Sequence, residues 1–119
     1  MKVLVCGSRD WWDRARIDKR LDELPISAMI IQGGARGADN CAALYATDHG
    51  MPLVIVPANW EKFGKRAGFL RNNWMLDLAP DLVIAFHKNN SPGTQSTITE
   101  ARRRGIPVEI IIEREAIAR

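Results

Sequence analysis

The sequence predicts an α/β fold: a Rossmann-like three-layer α/β/α sandwich built on a mainly parallel sheet of about five strands. Three observations lead there. Apolar runs rich in β-branched residues alternate along the chain with amphipathic stretches. The apolar runs are continuous rather than alternating, as befits strands covered by helices on both faces. The connections are short, which favours a β-α-β-α-β-α-β-α-β winding with parallel neighbours.

The elements follow in order. Residues 2–6 (Lys-Val-Leu-Val-Cys) form the first predicted strand, and residues 13–23 the first helix, with Asp10 or Asp13 as its cap. Residues 28–31 give the second strand and residues 37–49 the second helix, followed by Gly50 and then by Pro52, which restarts extended chain. The third strand spans 52–56. The third helix spans 65–78, where Leu70, Trp74, Met75 and Leu78 share a face and read as core. Residues 81–86, 94–104 and 106–112 complete the series, with Gly105 and Pro107 separating the last helix from the last strand.

The chain has 119 residues, the size of one compact domain. With 46% hydrophobic and 26% charged residues it has the means to bury a core, so global disorder is not expected. A net charge of +3 favours an anionic ligand but falls short of a nucleic-acid signature. The tail is charged rather than basic, with Glu113 and Glu115 beside Arg114 and Arg119. Cys6 and Cys41 read as small buried residues, supporting neither a disulfide framework nor a zinc site. The strand pattern starts at Lys2 and no apolar run reaches membrane-spanning length, so the expectation is a cytoplasmic chain without a signal peptide.

In parallel sheets of this kind the ligand site lies at the carboxyl ends of the strands. The richest loop is Gln32-Gly33-Gly34-Ala35-Arg36-Gly37-Ala38-Asp39, a glycine turn between strand and helix. Such a turn can present backbone N–H groups at the positive end of a helix dipole, where phosphate fits. It can equally be a tight turn with no ligand. Arg36 either reaches a phosphate or is solvated, and Asp39 favours the dipole of its own helix. The spacing matches neither G-x-G-x-x-G nor a P-loop.

Three further loops carry candidate chemistry. In Gly7-Ser8-Arg9-Asp10-Trp11-Trp12, Ser8 offers a hydroxyl and Arg9 a forked cation, while at least one tryptophan is expected to pack on the sheet. The run Phe63 to Met75 contains Arg71, whose guanidinium can turn to the pocket, and Asn72, which supplies donor and acceptor for a ribose or base. The loop His87-Lys88-Asn89-Asn90-Ser91-Pro92-Gly93-Thr94 repeats the strand-end, glycine, helix-start pattern. There Thr94 can cap the helix or bind a phosphate oxygen, and His87 is either a general base or a surface residue. His49 reads as a helix C-terminal residue, and Arg102-Arg103-Arg104 as a solvated face that complements a helix C-terminus.

Taken in order, G-S-R-D-W, G-G-A-R-G-A-D, P-A-N-W, G-K-R-A-G-F-L-R-N-N-W-M and P-G-T resemble the YspA-related branch of the SLOG superfamily, from Cys6 to about Val108. That superfamily includes the LOG (lysine-decarboxylase-like) phosphoribohydrolases and the DNA-processing protein family. The resemblance implies a Rossmann-like fold that binds nucleotides or nucleotide-derived ligands, often as a dimer. In LOG members an arginine and a glutamate, in R-x-x-x-M and G-G-x-G-T-x-x-E patterns, support cleavage of an N-glycosidic bond. Arg71 and Met75 match the first pattern; Gly93 and Thr94 match the middle of the second. Ser91-Pro92 replace its leading glycines, and Thr97 stands in the glutamate's place, with Glu100 one helical turn further on. A threonine cannot stabilise an oxocarbenium-like centre as a carboxylate does, so the activity does not transfer with the fold.

The expectation is therefore a nucleotide-binding or sensing module. Its pocket comprises Ser8, Arg9, Gly33, Gly34, Arg36, Gly37, Asp39, Arg71, Asn72, Gly93 and Thr94, with no required cofactor and no metal-like spacing. An alternative is a phosphoribohydrolase using Arg71 with Glu100 or Asp39 as acid or base. A second alternative is a nucleic-acid binder. Self-association, anchored by exposed members of Trp11, Trp12, Trp60 and Trp74, fits all three.

Overall fold

A computed structural model describes residues 1–88 and 91–113. Asn89 and Asn90 of the fourth loop, and Arg114, Glu115 and Arg119 of the tail, lie outside the described residues. Among the described residues five strands form one sheet: β1 (Lys2–Gly7), β2 (Met29–Gln32), β3 (Leu53–Ile55), β4 (Leu82–His87) and β5 (Val108–Ile112). Every pairing is parallel and the order is β3-β2-β1-β4-β5. The first half winds outward from β1 in one direction and the second half in the other. The topological switch point thus falls between β1 and β4, paired in register from Val3 opposite Leu82 to Gly7 opposite Phe86.

The helices are α1 (Arg14–Leu21), α2 (Ala38–Asp48), α3 (Trp60–Phe63), α4 (Ala67–Asp77) and α5 (Pro92–Arg103). Alternation along each strand sends side chains to opposite faces. Val3, Val5, Ile30, Ile84 and Phe86 pack with Ile17, Leu21, Ala42 and Tyr45 of α1 and α2. Leu4, Cys6, Ile31, Val83 and Ala85 pack with Met75, Leu76, Ile98 and Ala101 of α4 and α5. Three layers result, each fully buried aliphatic side chain contributing roughly 1.5–3 kcal/mol.

Local chemistry sets the boundaries. Asp13 caps α1, its Oδ1 accepting the Arg16 N–H at 3.2 Å, so of the two aspartates proposed as cap it is Asp13. Gly50 and Gly105 close α2 and α5 as the sequence suggests. The helix predicted from 65 to 78 is α4 preceded by a 3-10 turn over Gly64–Arg66; ahead of both stands a short helix, α3, capped by Asn59, where the sequence marked none. The last helix begins at Pro92 with Ser91 as its N-cap residue, which displaces Thr94 from the capping position.

Two packing expectations are corrected, and one is met. On α4 the core side chains are Met75 and Leu76; Trp74 and Leu78 are exposed, because the sheet-facing stripe lies one residue from the one the spacing suggested. Cys6 is buried but Cys41 is only half-buried, on the flank of α2. Of the four tryptophans only Trp11 is buried. Its ring meets Phe86 edge-on and its Nε1–H donates to the Asp13 carbonyl at 2.9 Å. No helix among the described residues is long and apolar enough to cross a membrane.

Candidate functional site

A cavity of about 530 Å³ opens over the carboxyl ends of β1 and β4, at the switch point. Cys6 and Gly7 line it from β1, Asp39 from α2, Arg71, Asn72 and Met75 from α4, and Gly93, Thr94 and Thr97 from α5. A second cavity of about 400 Å³ adjoins it over the ends of β2 and β3.

The centre of the site is a buried polar network that no single motif announces. Arg71, only 8% exposed, donates from Nη1 to the Gly33 carbonyl and from Nε to Asn72 Oδ1 at 2.9 Å. Asn72 donates in turn to the Gly93 carbonyl at 3.4 Å. Asp39 Oδ2 accepts the N–H groups of Gly33 at 3.1 Å and Ala35 at 3.3 Å. One arginine and one aspartate therefore fasten the glycine turn from its two polar sides. Gly33 makes room for this: a Cβ there would lie 2.2 Å from Arg71 Nη1.

The glycine turn consequently differs from the open phosphate cradle its sequence suggests. The Gly33 N–H is taken by Asp39, and the Gly34 N–H by Gln32 Oε1. The N–H of Ala38, at the start of α2, is taken by the Ser8 carbonyl. Gly37 holds φ at +78° where that carbonyl passes, so it shapes the loop rather than facing either cavity. Asp39 acts as the turn's internal anion, not as a cap for its own helix.

The remaining candidates fall into three positions. Arg9, Arg36, Arg71, Asn72, Gly93 and Thr94 line the first cavity, and Gly33 and Gly34 line the second. Arg9 also stands over the Trp60 ring, 5.6 Å from its centre. Ser8 lies behind the wall: its hydroxyl donates to the Lys88 carbonyl and accepts the Lys88 N–H, both at 2.8 Å, tying the β1 and β4 loops together. Thr94 donates to Ser91 Oγ at 3.2 Å, and Thr97 to the Gly93 carbonyl at 3.2 Å. Glu100 is not in the pocket. It lies on the outer side of α5, paired with Arg103 and with Arg104 at 3.0 Å, and these partners hold its carboxyl down at about 2. The catalytic assignment of Glu100 is therefore corrected. His87 ends β4, half-buried and outside both cavities.

The sequence reading missed Lys65, Lys88, Trp60 and Phe69, all on the wall of the first cavity. The strand-end rule nominates Lys88; the other three needed the fold of α3 and α4 to bring them in.

Electrostatics single out Asp39. Burial pushes its carboxyl up from 3.8 to about 6, against the opposing pull of Arg71, the two N–H bonds and Arg9. Burial likewise raises the Cys6 thiol far above the usual range, leaving it inert. Because the folded Asp39 binds its proton more tightly than the unfolded one, its contribution to stability is complete below pH 4 and is lost as pH rises through 6. Comparing wild type with Asp39→Asn isolates the effect. The stability difference between them is expected to move by about 2 kcal/mol against the wild type from pH 4 to pH 7. Chemical denaturation at several pH values measures it; a constant difference would mean that burial does not hold the proton.

Comparison with known proteins bears on the family and the fold. The model of the YspA, cpYpsA-related SLOG family matches residues 1–63, which carry the first loop, the glycine turn and Asp39. The chain belongs to this SLOG family. A curated relative, the Gene 61 protein of Mycobacterium phage D29, is 40% identical over 116 residues, spanning 90% of this chain and 93% of its own length. Among solved structures, DNA processing protein A (DprA) from Streptococcus pneumoniae superposes with a TM-score of 0.79 over 92% of the SLOG chain. At 22% identity that likeness speaks for the fold alone, and the chain spans about half, 49%, of the DprA chain.

Proposed function

We propose that this SLOG domain binds a nucleotide or nucleotide-derived ligand in the cavity at the β1–β4 switch point, as a binding or sensing module. One observation carries the reading: the charge and ring composition of that cavity. Among the described residues, Arg9, Arg36, Lys65, Arg71 and Lys88 line it against the carboxylates Asp10 and Asp39, and Trp60 and Phe69 add aromatic surface. A low-dielectric cleft with excess positive charge concentrates anions, and exposed rings accept a flat base. The start of α5, with Gly93 and Thr94 on the wall, offers a helix dipole to a phosphate.

A hydrolytic reading has one observation in its favour. Asp39 is a buried carboxylate on the cavity wall whose proton is held up to about 6, the range a general acid needs near neutral pH. Thr97 occupies the position of the LOG glutamate, so Asp39 is the side chain on which this reading rests.

A thermal-shift screen of nucleoside monophosphates, dinucleotides, ADP-ribose and cyclic nucleotides separates the readings, with mass spectrometry on each mixture. The expected result is a rise in melting temperature by mass action, with the ligand recovered intact. Free base appearing in the mixture, and abolished in Asp39→Asn, would make the protein a hydrolase. Stabilisation by nucleic acid alone, weakening steeply with salt, would make it a nucleic-acid binder. No shift with any of these would sink the pocket assignment.

A further inference from the structure

Lys88 belongs to two arrangements at once. Placed just beyond β4, it lines the first cavity, where its Nζ donates to the carbonyl of another wall residue, Asp10, at 3.4 Å. The same Nζ pairs with Glu113 Oε2 at 3.0 Å, immediately past the end of β5. The Glu113 side chain is only 10% exposed, and its other oxygen, Oε1, is buried with no hydrogen-bond partner among the described residues. A carboxylate so withdrawn from water, with one oxygen unanswered, is costly, and removing its cation makes it costlier. The rest of this strand end is lightly held. β5 is an edge strand; the Glu113 N–H reaches the His87 carbonyl at 3.3 Å, Arg16 Nη1 reaches the Ile112 carbonyl at 2.6 Å, and the Ile112 side chain is exposed. The Lys88 backbone, by contrast, is pinned by the Ser8 hydroxyl at both its N–H and its carbonyl. The movement left to Lys88 is therefore that of its side chain, a flexible four-carbon stem.

We propose that Lys88 couples the first cavity to the outer end of β5. An anion in the cavity draws the ammonium off Glu113; the carboxylate, left without its cation, turns out to water and frees the strand end. The inference rests on the reading above, that an anionic ligand occupies this cavity, and adds what its arrival does to the rest of the molecule. A phosphate group competes well for the lysine, since it carries more negative charge and more acceptor oxygens than a carboxylate. The coupling is reciprocal: if anion and Glu113 contend for one ammonium, removing the charge of Glu113 strengthens anion binding by the factor with which the anion loosens the strand end.

Two measurements with adenosine monophosphate and pyrophosphate as probes test it: titration calorimetry, and NMR hydrogen exchange of the Glu113 amide. Binding ordinarily slows exchange across a fold. Here the Glu113 amide is expected to exchange about fivefold or more faster in the bound protein, while the amides of β1 and β4 do not. Glu113→Gln is expected to bind the probe about fivefold or more tightly than the wild type. Lys88→Met is expected to show the faster Glu113 exchange with no probe present, and adding Glu113→Gln to it should bring no gain in affinity. Probe binding that leaves the Glu113 amide unchanged, with equal affinity in Glu113→Gln, overturns the coupling and leaves nucleotide binding intact. A gain in affinity that persists in the Lys88→Met background marks a charge effect that bypasses the lysine, and overturns it too. Failure of both probes to bind overturns the reading of the cavity and this inference with it.

Discussion

A Gly37→Ala variant is expected to lose about 3–5 kcal/mol of stability, combining backbone strain with overpacking. Gly37 holds φ at +78° and ψ at −127°, a conformation essentially reserved for glycine. An added Cβ would also lie 2.4 Å from the Ser8 carbonyl oxygen and 2.5 Å from that of Arg9. Both obstacles are backbone, so no side-chain rotation relieves them. The Ser8 carbonyl accepts the N–H groups of Trp11 and Ala38, so pushing it away also uncaps α2 and loosens the first loop. The melting temperature should fall by roughly 10–20 °C. Gly93→Ala is the matched control: its Cβ meets nothing within 4 Å and it lies inside α5. It should change stability by less than about 1 kcal/mol, if anything favourably. Equal melting temperatures for the two variants would show that the first loop and the start of α2 do not meet as described.

Arg71→Ala is expected to destabilise the fold by about 2–3 kcal/mol at pH 7.5, since it removes the buried guanidinium that bonds the Gly33 carbonyl and Asn72 and whose charge favours the Asp39 carboxylate. It should also weaken nucleotide binding by about tenfold or more, through loss of a charge-assisted contact. The pH dependence distinguishes this from simple loss of packing. Without Arg71 the Asp39 carboxyl loses a neighbour that opposes its rise, so it takes up a proton at still higher pH. Neutralising it removes the unpaired charge, so the stability defect should shrink at pH 5. Adding Asp39→Asn to Arg71→Ala should recover part of the loss, measured as a coupling energy in a double-mutant cycle. A defect independent of pH, with additive effects in the double variant, would mean that the pair does not interact.

The architecture was legible because each strand carries its own signal. Continuous β-branched runs, punctuated by Gly50, Pro52, Gly105 and Pro107, mark the five strands without any tertiary information. The break between α3 and α4 was less legible, because a four-residue helix held by Asn59 has no apolar period to detect. The site was legible as a set of loops but not as a network. Asp39 sits in the first turn of α2, where capping explains it locally; that it serves Gly33 and Ala35 depends on how the turn folds back. The bond from Arg71 to Gly33 spans 38 residues and no local pattern encodes it. Glu100 shows the opposite hazard. Moving one turn along α5 from Thr97 preserves height but not bearing. The inward stripe runs through Thr94, Thr97, Ile98 and Ala101, and Glu100 falls beyond its edge among arginines.

The central position of β1 has a consequence for how the chain reaches this structure. The first strand to be synthesised is the middle of the sheet, and one of its two neighbours is β4, about eighty residues away. No adjacent hairpin can shelter it in the interim, because every pairing is parallel and each crossover must be completed first. Until residues 82–87 emerge, β1 keeps one edge unpaired, and the apolar face formed by Leu4 and Cys6 waits longer still, for α5 to complete its cover with α4. The interval between making β1 and closing β4 onto it is therefore the window in which this sequence is most exposed to misassociation, and contacts this distant in sequence make folding slow.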